Sequence, residues 1–112
     1  MTEPVTTLPP YLTETADMVR AAFPNGVPEE AYLPLLALLL EGMSFRTLAT
    51  VGSYCTGKPY ARVYNDVLGL ESPDAPPPSE SPAYAATAET LRQHGYGEWL
   101  AKSESELTAG GE

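Results

Sequence analysis

The chain has 112 residues, with 15 acids against 6 Lys and Arg, a net charge of −9 and one cysteine. Such a length fits one domain with a modest core, and a hydrophobic fraction of 43% argues against wholesale disorder. One cysteine excludes an intramolecular disulfide and a structural zinc site, and the acidity argues against a protein built mainly to hold nucleic acid. The charge is uneven: residues 1–30 carry −4, residues 31–70 carry +1 and residues 71–112 carry −6. Residues 1–10 hold no Lys, Arg or apolar run, so no export signal is expected. The strongest apolar stretch, Tyr32 to Leu40, is far shorter than the roughly 20 residues of a membrane span. A cytoplasmic protein with no membrane association is the expectation.

Residues 1–10 are Thr- and Pro-rich and read as a flexible arm. From Tyr11 a helical period begins, with Tyr11, Thr15, Met18 and Ala22 on one line and Leu12, Ala16, Val19 and Phe23 on the next. Thr13, Glu14, Asp17 and Arg20 fall on the opposite face. Pro24 stops this helix, and Phe23-Pro24-Asn25-Gly26 carries a type I turn signature. Pro34 places the start of the regular second helix near Ala31–Leu33, with a short turn at Pro28 before it as an option, because a proline is tolerated in the first turn, where the N–H is unpaired anyway. This Leu-rich helix is apolar almost all round, which predicts the centre of the fold. Ser44 is a good N-cap for a third helix, Phe45 to about Cys55, closed by Gly57. Its expected buried stripe is Phe45, Leu48, Val51 and Cys55, with Arg46, Thr47, Thr50 and Ser53 facing out. Pro59 opens a fourth helix with Tyr60, Val63, Tyr64 and Val67 on one face. The twelve residues 71–82 hold five prolines and read as a stiff, extended connector. Ser81-Pro82 caps a fifth, Ala-rich outer helix ending near His94, and Trp99 folds back onto the body. Residues 101–112 read as a flexible acidic tail. The fold class is all-α: one helical domain over 11–100, about five short helices around the Leu-rich one.

Gly52-Ser53-Tyr54-Cys55-Thr56-Gly57-Lys58 matches the G-x-x-x-x-G-K spacing of a phosphate-binding loop. Pro59 stands where the magnesium-binding Ser or Thr belongs, and the stretch before the match reads as helix, not strand. A helix C-cap at Gly57 is therefore expected. Cys55 and His94 form the one possible thiol–imidazole pair, but no spacing brings them together. The carboxylates show no metal-ligand pattern. Ser44 to Leu68 reads alternatively as a helix-turn-helix with Arg46, Lys58, Arg62, Tyr60 and Tyr64 near a nucleic-acid backbone, although the basic footprint is small. Pro73, Pro76, Pro77 and Pro78 offer a polyproline ligand without the usual basic residue.

The stretch Ala22-Phe23-Pro24-Asn25-Gly26-Val27-Pro28, followed by Tyr32-Leu33-Pro34-Leu35-Leu36-Ala37-Leu38-Leu39, resembles an actinobacterial family of small helical domains of unknown function. Met43-Ser44, Ser81-Pro82 and Gly95-Tyr96 extend the likeness more weakly over residues 12–100. The chain departs from that pattern at Ala31, where an acid is usual, and at Gly95-Tyr96-Gly97, where Gly-Trp-Pro is usual. The resemblance implies a compact fold of about five helices and supplies no catalytic or ligand-binding residue.

Taken together, these features lead to the expectation of a non-enzymatic protein-interaction or scaffold module with an unknown protein partner. The candidate surface is Arg46, Lys58, Tyr60, Arg62, Tyr64 and Trp99. No catalytic residue, cofactor or metal is assigned. Weak or regulatory nucleic-acid binding through residues 44–68 is the alternative.

Overall fold

Local capping signals and apolar periods together dictate a run of short helices. The computed structural model describes residues 5–70 and 80–102. A 3-10 turn at Pro10–Leu12 leads into α1 (Thr13–Ala22), followed by α2 (Glu29–Leu40), α3 (Phe45–Thr56), α4 (Tyr60–Leu70) and α5 (Pro82–Arg92). Residues 96–102 are again helical. The chain is all-α, as the periodicity predicts.

Helix α1 buries Thr15, Ala16, Met18, Val19 and Ala22. Its end is the expected turn, in which the Gly26 N–H donates to the Phe23 carbonyl at 2.9 Å. Gly26 sits at φ 98°, a region that favours glycine. Tyr11 breaks the expected line: it lies in the 3-10 turn, not in α1, and is 74% exposed. The tighter winding of that turn rotates the ring away from the face that Thr15 and Met18 bury.

Helix α2 is the centre, packed against α3, α4 and α5. Leu35, Leu36 and Leu39 are almost wholly enclosed. The helix starts at Glu29, earlier than Pro34 alone suggests, so Pro34 lies inside it. Proline there removes the bond to the Glu30 carbonyl, and Glu30 is exposed, so water can satisfy that oxygen. Burial of Ala31, Tyr32 and Pro34 itself, together with Glu29 and Glu30 at the positive helix end, favours the longer helix.

Ser44 caps α3 as its sequence position predicts, accepting from the Thr47 N–H at 3.3 Å, and Gly57 closes the helix in the left-handed region at φ 79°. The short link to α4 folds the two helices against each other. Gly52 permits their close approach: a Cβ there would lie 2.9 Å from Val63 Cγ1. Ser53 faces inward and is fully buried, contrary to the expected outward position. Its hydroxyl donates to the Lys58 carbonyl at 2.6 Å and accepts the Val5 N–H at 2.8 Å, which removes the cost of burying it. The segment 5–9 has no regular structure, yet this bond docks it on the body. Residues 1–4, most of the connector (71–79) and the tail beyond 102 lie outside the described residues.

Ser81 caps α5 by accepting from the Ala83 N–H, and Leu91 is fully enclosed against the core. Ala85 and Ala86 remain exposed, so α5 is an outer helix that nonetheless packs closely on α2. After Gly95, Tyr96 and Trp99 turn inward and stack, with ring centroids 5.7 Å apart. The Tyr96 hydroxyl donates to the Leu38 carbonyl at 2.8 Å, supplying a partner in the last turn of α2.

Candidate functional site

Four of the six surface residues expected from sequence, Lys58, Tyr60, Arg62 and Tyr64, come together at the start of α4. Pro59 positions the helix, and the i, i+4 spacing brings Tyr60 and Tyr64 into a stack with centroids 6.0 Å apart. Both rings are half-buried and packed on the core. The cations are engaged. Lys58 Nζ lies 3.5 Å from Glu29 Oε1 and 4.8 Å from the centroid of the Tyr32 ring. Arg62 Nε lies 3.3 Å from Asp66 Oδ2. The Tyr32 hydroxyl donates to the same Asp66 oxygen at 2.6 Å. Burial, and then the bond to the Asp66 carboxylate, raise the Tyr32 hydroxyl well above the ordinary tyrosine range. The cluster therefore holds α2 to α4 through a proton that is hard to remove.

The other two residues lie elsewhere. Arg46 is exposed in the first turn of α3, about 16 Å of helix rise from Gly57, so it stands apart from the Lys58 cluster. Trp99 is a correction: it is only 6% exposed, and its indole Nε1–H donates to Thr15 Oγ1 at 2.7 Å. A large apolar ring beside α1 gains more from burial than from display, and Thr15 satisfies its one donor. It is not the exposed side chain expected from sequence.

The phosphate-loop reading fails on geometry. Gly52 to Thr56 are helical, so their N–H groups serve helix bonds, and Gly57 is the helix C-cap. Cys55 is likewise poorly suited to nucleophilic work. Burial pushes its thiol up to about 11, against the pull of Arg20, so it is protonated at neutral pH. His94 Nδ1 lies 2.9 Å from the Thr90 carbonyl. Among the described residues no group of three or more His, Cys, Asp or Glu is placed to hold a metal ion, and no helix is long and apolar enough to cross a membrane.

A groove that sequence reasoning missed is lined by none of the Lys58, Tyr60, Arg62 and Tyr64 cluster. It encloses about 410 Å³ between the Pro10–Leu12 turn, the corner joining α2 to α3, and the 96–102 helix. Tyr11, Met43 and Trp99 give it apolar wall, and Thr15, Ser44 and Thr47 line it as well. Across it Lys102 Nζ reaches Glu14 Oε1 at 2.9 Å. A shallower depression adjoins it, lined by Glu14, Asp17, His94, Glu98 and Trp99. The groove joins segments up to 92 residues apart in the chain, from Pro10 to Lys102. The one signal in the sequence was Tyr11, a large aromatic flanked by Pro10.

The chain matches no protein-family model, no curated protein and no solved structure.

Proposed function

We propose that the protein is a non-enzymatic interaction module whose contact surface is the Tyr11 groove, and that its occupant is a protein segment with an apolar anchor and basic flanks. The observation that carries this reading is Tyr11 itself: a large aromatic, 74% exposed, on the lip of a groove of about 410 Å³. Exposed aromatics beside a concavity are the usual anchors of protein contacts. The basic character follows from charge. The adjoining depression presents Asp17 and Glu98, beside Glu14 with its Lys102 partner, and the chain as a whole is at −9.

The sequence resemblance to an actinobacterial helical family without established activity, and the expected cytoplasmic location, fit a module of this kind. Nucleic-acid binding through residues 44–68 is the weaker reading, because Lys58 and Arg62 are already paired with carboxylates.

A photo-crosslinking side chain at position 11 tests the proposal, with the exposed Ala85 of α5 as control. The expected result in cells that make the protein is a discrete protein adduct from position 11 and not from position 85, undiminished by nuclease and weakened by added salt. No adduct at position 11, or one abolished by nuclease, overturns it.

A further inference from the structure

The segment 5–9 joins two parts of the molecule that are far apart in sequence. At one end the Val5 N–H donates to Ser53 Oγ at 2.8 Å, across 48 positions of chain. At the other end Pro9 accepts from the Leu12 N–H at 3.0 Å and leads directly into the Pro10–Leu12 wall of the groove. Between these ends no residue is helical or paired in a sheet. Val5, Leu8 and Pro9 are half-buried, so the segment lies on the body and not in open solvent.

We propose that residues 5–9 are a releasable strap that sets the position of the groove wall, with Ser53 as its anchor. The inference rests on the groove being the contact surface. Release orphans no buried group. The Ser53 hydroxyl keeps its own bond to the Lys58 carbonyl at 2.6 Å, and water takes up the freed Val5 N–H. Docking is therefore favoured by one hydrogen bond and a little apolar contact, a balance that a ligand in the groove can tip. Movement is transmitted because Pro9 and Pro10 stiffen the link. Pro9 holds φ −58° and ψ 148°, an extended geometry in which its ring fixes φ and the following Pro10 restricts ψ. By linkage, whatever binds the groove and shifts Tyr11 changes the docking of Val5 by the same factor.

Amide hydrogen exchange on the full chain, without any ligand, tests the coupling. Val5→Pro removes the donor and leaves Ser53 untouched; Ser53→Ala removes the anchor. The reporters are the Leu12 and Thr13 amides, which bond to the Pro9 and Pro10 carbonyls. The expected result is roughly fivefold faster exchange at both, the factor that one hydrogen bond of ordinary net strength carries, with the Gln93 and His94 amides, which exchange by local opening at the C-terminal end of α5, unchanged. Unchanged exchange at Leu12 and Thr13 in Val5→Pro overturns the proposal. If Ser53→Ala fails to fold, Val5→Pro decides alone. Because no ligand is used, failure of the strap and failure of the groove as a contact surface are read separately.

Discussion

Replacing Gly52 by alanine sets two effects of opposite sign against each other. Glycine inside a helix is less favourable than alanine by about 0.8–1.0 kcal/mol, so propensity alone predicts stabilisation. The tertiary contact predicts the reverse. The new Cβ would lie 2.9 Å from Val63 Cγ1 and 3.4 Å from Leu36 Cδ2, and Val63 and Leu36 are both fully buried. Ordinary carbon–carbon contact needs about 3.5–4.0 Å. Val63 cannot swing clear, because a β-branched side chain in a helix keeps essentially one rotamer. Helices α3 and α4 must therefore part by several tenths of an ångström, and overpacking of this kind costs about 1–3 kcal/mol. The net expectation is destabilisation of about 1 kcal/mol, a fall in melting temperature of roughly 4–8 °C for a domain of this size. Urea unfolding followed by circular dichroism reads it as a lower midpoint at constant slope. The double variant Gly52→Ala, Val63→Ala removes the clashing methyl, so its cost is expected to be less than the two single costs together. A stabilised Gly52→Ala, or strict additivity in the cycle, would refute the close contact between the helices.

The bond between Trp99 and Thr15 gives a second expectation. Thr15→Val keeps the shape but leaves the buried indole N–H without its acceptor, at a cost of about 1–3 kcal/mol, whereas Thr15→Ser keeps the acceptor and costs less. Equal urea midpoints for the two variants would show that the bond contributes nothing. The raised Tyr32 hydroxyl gives a third. The unfolded chain releases this proton near pH 10 while the folded chain holds it, so stability is complete below about pH 10 and falls as pH rises above it. Tyr32→Phe is expected to flatten the alkaline limb of a stability–pH profile and to lower the neutral-pH plateau. An alkaline limb unchanged by the substitution would refute the assignment to Tyr32.

The parts of the fold legible in sequence were those fixed by neighbours. Ser44, Gly57 and Ser81-Pro82 marked helix ends to within a residue or two because a cap bonds to backbone two to four positions away. The start of α2 is not legible from Pro34, because the cost of that proline is a local rule, whereas the burial that offsets it belongs to the assembled core. The inward position of Ser53 is hidden for the same reason. A serine on a helix face reads as solvated until the partner that satisfies it, the Val5 amide, is brought in from a distant segment. Trp99 was expected to fold onto the body, yet its inclusion among contact residues required exposure that the Thr15 bond and the adjacent Tyr96 remove.

The candidate surface shows how charge counted along a chain differs from charge placed in space. The middle segment stood out at +1 because its cations were weighed only against its own acids. Arg62 does find its partner locally, at Asp66, a spacing readable on any helical wheel. Lys58 does not: Glu29 comes from the acidic first segment, and the Tyr32 ring beside it from the central helix. Once those contacts form, the apparent basic footprint shrinks to Arg46, which makes no ion pair among the described residues. Pairing also leaves the acids that stay solvent-facing to dominate the field around the protein. Asp17 and Glu98 gather beside the Glu14–Lys102 pair on the side that carries Tyr11, although α1 and the 96–102 helix are far apart in sequence. Shape and charge thus converge on a face that no single segment encodes, and a partner drawn there by charge is selected for basic residues before any apolar anchor makes contact.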